Sequence, residues 1–469
     1  PGKAKGILLR HIAENLETAL PDLVRRATIE TGLPPARIEG ETARTCYQLR
    51  MFAALIEEGS WVDARIDHAD KERKPAAKPD IRSMMRARGP VGVFCASNFP
   101  VAFSVAGGDT ASALAAGCPV IVNAHYGHPG TSEIAGIAIR DAVKKCGMPE
   151  GTFSLIFGAG NDTGAYIVRH PLIKAISFTG SRKGGLALAE IARTRPEPVP
   201  FYGELSSVNP VFILPGAMQT RGEEIAKGLF GSVTLGAGQY CTNPGLAMME
   251  ESPASGRFIE HLKRLFEGTQ EYVLLTEGIS RAYQESILSR RRSASVTTVA
   301  EKIPDTTEEG FRVGAALFSV DARTFLDDPA LSEEVFGPST LLVRHRNREE
   351  LHGLAGSLEG HLTATIHGTD DELREYRDLI SILETRVGRV IVNGFPTGVE
   401  VCPAMVHGGP YPATTDGAWT SVGTRAIYRY TRPVCYQDVP DTLLPPELIE
   451  GNPLGIARLV EGVMTVRSS

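Results

Sequence analysis

Hydrophobic positions in the first sixty residues recur at helical spacing. The pattern predicts one amphipathic helix near the start of the chain and a second over residues 43–58, ending near Gly59. A charged, proline-containing passage over residues 66–79 then predicts a solvated loop. The first helix is marked by Ile7, Leu8, Ile12, Leu16 and Leu20.

From Val91 onward, short apolar runs alternate with longer amphipathic segments. This alternation is typical of buried strands joined by helices, and it predicts a parallel, doubly wound sheet. The predicted strands cover 91–95, 120–122, 153–157 and 175–178, and the predicted helices cover 102–116, 131–145, 162–169 and 182–193.

A second series of the same kind follows Glu204, so the sequence predicts two α/β domains with a cleft between them. The triplet 290–292, three arginines, is interpreted as the exposed end of a helix. The predicted strands are 211–214, 315–318, 340–343, 363–367 and 390–392, and the predicted helices are 225–235, 255–266, 349–357 and 370–383.

The composition narrows the class of protein. A chain of 469 residues is too long for one core, and 42% hydrophobic with 22% charged residues is ordinary for a globular protein. The net charge of −6 does not favour nucleic acid or an anionic membrane as a partner. Seven scattered cysteines without a C-x-x-C pattern predict neither a disulfide framework nor a metal site, and indicate a reducing cytoplasm. No membrane-spanning run or signal peptide is recognised.

Two glycine-containing turns could hold phosphate groups. The segment 157–164 includes Gly158, follows a predicted strand and opens a helix, where backbone N–H groups favour an anion. Its spacing departs from G-x-G-x-x-G, so an ordinary turn remains an alternative. Gly180 and Ser181 occupy a second strand-to-helix junction, where Ser181 could cap the helix or meet a pyrophosphate.

Three further residues are candidates for catalysis. Cys241 lies in a loop of small residues, Gly-Ala-Gly-Gln-Tyr-Cys, and is either a nucleophile or a buried small hydrophobe. Glu204 lies in Tyr-Gly-Glu-Leu and Asn98 in Ser-Asn-Phe-Pro. A glutamate at a strand end is also compatible with simple exposure to solvent.

In their order along the chain, these motifs resemble the aldehyde dehydrogenase superfamily. The shared motifs are Asn-Phe-Pro at 98–100, Phe-Thr-Gly-Ser at 178–181, Gly-Glu-Leu at 203–205, Gly-Gln-x-Cys at 238–241, Glu-Val-Phe-Gly-Pro at 334–338 and Asn-Gly at 393–394. The wording at 94–100, 106–110, 128–132, 201–204 and 407–414 is similar to one branch. That branch contains α-ketoglutarate semialdehyde (2,5-dioxovalerate) dehydrogenases and an NADP-dependent fatty-aldehyde dehydrogenase.

The resemblance implies a role for each candidate. Cys241 would attack the aldehyde carbon, Asn98 and the Cys241 backbone N–H would stabilise the oxyanion, and Glu204 would act as general base. Glu334 would hold the nicotinamide ribose. The complete set of cofactor contacts implied is Gly158, Gly180, Ser181, Asn123, Glu334 and Phe336.

Asn123 departs from the family, which has a lysine after this strand to contact the adenosine ribose. Without that cation the 2′-phosphate of NADP loses a partner, and no Arg or Lys lies between Gly117 and Arg140. The cofactor is therefore expected to be NAD or NADP, with NAD slightly favoured.

The expected architecture is an aldehyde dehydrogenase-like α/β fold of two doubly wound domains plus a small β oligomerisation element. The dinucleotide-binding domain would span 1–205, the catalytic domain 206–403 and a C-terminal segment 404–469. The oligomerisation element would combine 66–88 with a strand near 429–439, in a homodimer or homotetramer.

The expected reaction is oxidation of 2,5-dioxopentanoate to 2-oxoglutarate. The alternatives are a dehydrogenase of medium- or long-chain aliphatic aldehydes, a CoA-acylating enzyme, which Glu204 argues against, and a catalytically silent cofactor-binding protein. Thr420, Ser421 and Arg425 are named as candidates to hold a distal carboxylate.

Overall fold

The computed structural model describes residues 2–158, 160–303 and 310–466. Its strands are β1 Ala64–Asp67, β2 Ile81–Ala87, β3 Val91–Phe94, β4 Val120–Asn123, β5 Phe153–Ile156, β6 Ala175–Thr179, β7 Phe201–Glu204, β8 Val211–Ile213, β9 Leu246–Glu250, β10 Tyr272–Val273, β11 Thr297–Glu301, β12 Arg312–Val313, β13 Ala316–Asp321, β14 Ser339–His345, β15 His361–His367, β16 Val387–Val392, β17 Thr431–Gln437, β18 Arg458–Val460 and β19 Val463–Thr465.

Helices precede, connect and cover these strands. They are α1 Gly2–Thr18, α2 Leu20–Thr31, α3 Pro35–Glu58, α4 Gly108–Ala116, α5 Pro129–Lys145, α6 Asn161–Arg169, α7 Arg182–Thr194, α8 Pro215–Thr234, α9 Pro253–Glu267, α10 Glu277–Arg292, α11 Ala322–Asp327, α12 Arg348–Ser357, α13 Asp370–Glu375 and α14 Arg377–Glu384. Within the described part of the chain, none of them is both long and apolar enough to cross a membrane.

The first sheet is parallel and has the strand order β5-β4-β3-β6-β7. Alternate side chains of each strand point to opposite faces. One face packs its valines, such as Val93 and Val122, on α1, α3, α4 and α5. The other face packs Phe94 and Ile176 on α6 and α7. The chain leaves the central β3 in both directions, which opens a crevice at the carboxyl ends of the strands.

The second sheet has the order β11-β13-β14-β9-β8-β15-β16 and is parallel except for β11. Its two faces bury separate cores. Phe212 and Phe318 lie in one core with α10, α12 and α14, and Ile213 and Leu317 lie in the other with α8 and α9. The predicted fold class of two doubly wound α/β units is thus confirmed.

A third sheet, β17-β2-β1-β18-β19, brings residues 64–87 together with the C-terminal part of the chain. Its β2 pairs antiparallel with β17, from Ile81↔Gln437 to Ala87↔Thr431. The segment between β1 and β2 contains an isolated bridge between Asp70 and Lys78.

Several sequence-based assignments were wrong. The helix predicted over 102–116 begins only at Gly108, because the chain turns back at Gly107, where a Cβ would lie 2.5 Å from the Ala102 carbonyl oxygen. The helix predicted over 370–383 is divided at Tyr376. Arg290 is buried against Phe318, 6.0 Å from the ring centroid, although it belongs to the triplet interpreted as exposed.

Candidate active site

Glu204 lies at the carboxyl end of β7, beside the crevice of the first sheet. Its backbone pairs with Thr179 of β6 on one side and forms an isolated bridge with Thr414 on the other. The neighbouring Leu205 N–H donates to the Ala413 carbonyl oxygen at 2.8 Å. These contacts hold a carboxylate that is only 5% exposed.

Cys241 follows a tight loop with an unusual backbone. Gly236, Ala237 and Gly238 all have positive φ, at 56°, 60° and 70°. A Cβ on Gly238 would lie 2.2 Å from the backbone of Gly337, so only glycine fits there. The side-chain amide of Asn209 donates to the Cys241 carbonyl oxygen at 2.9 Å and fixes the end of the loop.

Asn98 contacts the same loop from the first sheet. Its Nδ2 donates to the Gln239 carbonyl oxygen at 2.9 Å, and the residue is 8% exposed. The adjacent Phe99 packs edge-on against Tyr240, with ring centroids 5.3 Å apart. The structure therefore brings Asn98 to the loop that carries Cys241, across 141 positions of sequence.

His407 completes the group and was not predicted from the sequence. Its Nε2 lies 2.9 Å from Glu204 Oε1 and 3.4 Å from Cys241 Sγ. Residues 407–414 were noted only because their sequence is similar to one branch of the family, and no local pattern in them predicts a contact with Glu204. The three ligand atoms lie within 4.8 Å of one another, a spacing that would also suit a metal ion, although the sequence predicts none.

The electrostatics of this group favour a neutral thiol beside a carboxylate. Burial and the Glu204 charge raise the pKa of Cys241 well above its usual value. Burial alone would also raise the pKa of Glu204, but His407, Cys241 and Ser421 together hold it below its usual value. These shifts favour an ionised Glu204 carboxylate and a protonated Cys241 thiol.

Two of the residues named for a distal carboxylate instead support the base. Ser421 Oγ donates to Glu204 Oε2 at 3.1 Å, and Thr420 Oγ1 accepts a hydrogen bond from the backbone N–H of His407 at 2.8 Å. Arg425 is exposed on a 3₁₀ helix, Thr424–Tyr430.

The candidate cofactor residues lie at the carboxyl ends of adjacent strands. Asn123 ends β4, Gly158 follows β5, and Gly180 and Ser181 follow β6. Ser181 Oγ accepts the Gly184 N–H at 3.2 Å and caps α7. Asn123 Oδ1 is buried and has no hydrogen-bond partner among the described residues. An unpartnered acceptor at this edge fits a ligand that supplies hydroxyl groups.

Glu334 and Phe336 lie in the segment that leads into β14 of the second sheet. Their segment is tied to the Cys241 loop, because Asn243 Nδ2 donates to the Gly337 carbonyl oxygen at 3.1 Å. Burial raises the pKa of Glu334 to about 7, although hydrogen bonds from Ser206 and Ser207 oppose the shift. Both side chains are half-buried.

The site combines a cysteine, an imidazole and a carboxylate beside the crevice of a parallel sheet, and comparison with known proteins identifies the class. The chain belongs to the aldehyde dehydrogenase family, whose model matches residues 1–431. It is an NAD(P)-dependent enzyme that oxidises aldehydes.

Two characterised relatives match nearly the whole chain. Alpha-ketoglutaric semialdehyde dehydrogenase 2 of Azospirillum brasilense is 50% identical over 463 residues, covering 98% of this chain and 88% of the relative. Alpha-ketoglutaric semialdehyde dehydrogenase of Acinetobacter baylyi is 45% identical over 459 residues, covering 97% and 86%.

Solved structures at lower identity share the fold. A mutant of an aldehyde dehydrogenase from Bacillus cereus superposes with a TM-score of 0.79 at 19% identity, covering 93% of this chain and 84% of that one. Glyceraldehyde-3-phosphate dehydrogenase GapN from Methanocaldococcus jannaschii, complexed with NADP, gives 0.77 at 21% identity, covering 93% and 90%.

Proposed function

We propose that this enzyme oxidises 2,5-dioxopentanoate, the semialdehyde of α-ketoglutarate, to 2-oxoglutarate. The observation that carries the proposal is the 50% identity, over 98% of the chain, to a relative named for this substrate. The close grouping of Cys241, Glu204 and Asn98 supports catalytic activity, because a catalytically inactive protein of this fold would not need these three residues together.

The reaction follows from the contacts of Cys241. Glu204, directly or through His407 Nε2, takes the thiol proton as the sulfur attacks the aldehyde carbon. Asn98 Nδ2 and the Cys241 N–H donate to the oxyanion of the thiohemiacetal. A nicotinamide dinucleotide held at the crevice by residues such as Asn123, Ser181 and Glu334 would supply the hydride acceptor. Once Glu204 has passed the thiol proton on to solvent, it withdraws a proton from the water that hydrolyses the thioester.

A small cavity behind Glu204 bears on this last step. It has a volume of about 20 Å³, room for a water molecule, and its lining includes Tyr202, His407 and Ser421. The buried ion pair between Asp109 and Arg429, at 2.6 Å, forms its far wall. A water held there could receive the proton that Glu204 gains.

His407 is proposed to assist both Glu204 and Cys241. In the His407→Gln enzyme, the amide retains a donor for Glu204 but no base, so kcat/KM should fall roughly 10-fold or more. The pKa of Glu204 should rise, because His407 helps to hold it down, and the acid limb of the pH profile should move to higher pH.

Measurement of kcat/KM from about pH 5 to 8, where folded proteins tend to be most stable, tests this expectation. The control is His11→Gln, which removes a surface imidazole paired with Glu14. An unchanged profile in His407→Gln would exclude His407 from the reaction.

We propose that the enzyme uses NAD at least as well as NADP. The residues proposed to bind the dinucleotide are Asn123, Gly158, Gly180, Ser181, Glu334 and Phe336. The unpartnered Asn123 Oδ1 suits a ribose hydroxyl. Burial lowers the pKa of the nearby His125 to about 3 and also lowers that of His128, so neither supplies a cation for a 2′-phosphate near neutral pH.

Replacing Asn123 by lysine should shift this preference. A charge-assisted hydrogen bond is worth roughly 1.5–3 kcal/mol, so the ratio of kcat/KM for NADP to that for NAD should rise about tenfold or more. Both cofactors are compared at one ionic strength, with Gln219→Lys, on the exposed face of α8, as a control for added charge. A strong NADP preference of the unmodified enzyme would contradict the assignment.

The proposed substrate is tested with a panel of aldehydes, each assayed with NAD and with NADP. We expect a higher kcat/KM for 2,5-dioxopentanoate than for pentanal, which has the same chain length without the oxo and carboxylate groups. A preference for hexanal or longer aldehydes would instead support the aliphatic alternative. Acyl-CoA formation on addition of CoA would support the CoA-acylating alternative.

We also propose a cytoplasmic homodimer or homotetramer, with domains spanning 1–205, 206–403 and 404–469. All seven cysteines are free thiols, which fits a reducing compartment. In the described residues, β17 and β19 lie at the edges of the third sheet, and Val463 and Met464 of β19 are exposed. Such edges can pair with another subunit. Light scattering of the purified protein measures the subunit number, and a monomer would contradict the proposal.

A further inference from the structure

Two arginines from distant parts of the chain donate hydrogen bonds to the loop 396–400, which contacts the residue after Cys241. Arg389 of β16 donates from Nη2 to the carbonyl oxygens of Pro396, at 2.9 Å, and Gly398, at 3.1 Å. Arg44 of α3 donates from Nε to the Val399 carbonyl oxygen at 3.4 Å. The two guanidinium groups therefore approach consecutive parts of one short loop.

This loop is joined directly to the catalytic cysteine's neighbour. The Gly398 N–H donates to Thr242 Oγ1 at 3.2 Å. From the other direction, the Arg44 guanidinium lies 5.0 Å from the Phe103 ring centroid, and that ring lies 6.1 Å from His407. Both arginines are close enough to Cys241 for their charges to act on it.

Neither guanidinium group is fully satisfied within the described residues. Arg44 Nη1 and Arg389 Nε are buried and lack a hydrogen-bond partner there, and no carboxylate of the described chain lies within 4.0 Å of either group. Burial lowers the pKa of both side chains. Two carboxylates partly offset the charge of Arg44: Glu41, which is paired with Arg37, and the exposed Glu400, which contributes less.

Arg37, seven residues before Arg44 on the same helix, differs from Arg44 in having a carboxylate within salt-bridge distance. It donates to Glu41 Oε1 at 2.8 Å and lies over the rings of Phe99 and Tyr240, so its charge is already compensated. Arg44 and Arg389 are half-buried, and a bound carboxylate would supply the partners that Arg44 Nη1 and Arg389 Nε lack among the described residues.

We propose that Arg44 and Arg389 bind the distal carboxylate of the aldehyde substrate and so select ω-carboxylate aldehydes. Guanidinium groups suit this role because their planar donors match a carboxylate. The inference rests on the proposed function, which supplies a substrate with its carboxylate at the end opposite the aldehyde. It replaces Thr420, Ser421 and Arg425 as the residues of that site.

The test compares two substrates in the variants Arg44→Gln and Arg389→Gln. We expect kcat/KM for 2,5-dioxopentanoate to fall roughly 10- to 100-fold, as expected for lost charge-assisted hydrogen bonds, with little change for pentanal. The inhibition constant of glutarate, a dicarboxylate without an aldehyde, should rise in parallel. Arg50→Gln is the control, since Arg50 is on the outer face of α3 and pairs with Glu17 at 2.6 Å.

The outcomes separate the two proposals. Equal losses for both substrates would show that the arginines only position the loop 396–400, and would overturn the inference while 2,5-dioxopentanoate stands. If the unmodified enzyme prefers a different ω-carboxylate aldehyde, such as succinic semialdehyde, and the arginine variants lose that preference, the inference stands and the proposed substrate fails. Should Arg389→Gln fold poorly, Arg389→Lys keeps the charge without the fork, and its loss should again be confined to carboxylate substrates.

Discussion

The Cys241→Ala enzyme is expected to lose aldehyde dehydrogenase activity while it keeps its fold and its affinity for the dinucleotide. The substitution removes the Sγ atom that lies 3.4 Å from His407 Nε2, and no other described cysteine shares that position. The loop conformation should survive, because it depends on Gly238 and on the bond from Asn209 to the Cys241 carbonyl oxygen.

Steady-state formation of reduced cofactor, the melting temperature and dinucleotide binding are measured on the same preparation. Cys402→Ala is the matched control, since Cys402 is also a free, half-buried thiol. Turnover by Cys241→Ala at a rate comparable to that of the unmodified enzyme would remove Cys241 from the role of nucleophile.

The Glu204→Gln enzyme should separate the two halves of the reaction. Without a general base, hydrolysis of the thioester slows, and steady turnover should fall on the order of 10²-fold or more. Acylation should be less affected if His407 accepts the thiol proton, because its Nε2 is within reach of Cys241. Rapid mixing should then show a burst of reduced cofactor, followed by a slow phase.

Glu223→Gln, on the exposed surface of α8, controls for the loss of a carboxylate elsewhere. A steady rate equal to that of the unmodified enzyme would exclude Glu204 as the base. Loss of both the burst and the slow phase would show that Glu204 is needed for the attack of Cys241 as well as for hydrolysis.

The sequence predicted the sheets where strands are short apolar runs between amphipathic helices. It missed β9, Leu246–Glu250, which follows the Cys241 loop without a marked boundary. It recognised only the end of α10, Glu277–Arg292, whose buried positions are few among charged residues. Periodicity detects a helix only when its apolar positions outnumber chance, so a largely polar helix is not distinguished from a loop.

The same limit applies to the active site. Cys241, Glu204 and Asn98 stand in contiguous motifs and could be named from them. His407 acts on Glu204 across 203 positions of sequence, and its position depends on how the C-terminal segment crosses the first sheet. Arg44 and Arg389 likewise meet only at the loop 396–400. Contacts of this kind come from the packing of distant elements and leave no local pattern.

The raised pKa of the Cys241 thiol also affects how readily the enzyme is oxidised between turnovers. Peroxides and alkylating agents react with thiolate, and a buried thiol whose pKa is raised offers little of it. A thiol that loses its proton chiefly as it attacks an aldehyde therefore offers little thiolate for irreversible oxidation between turnovers. Cys435, on the exposed outer strand β17, is more accessible to such reagents and would be modified without loss of the nucleophile.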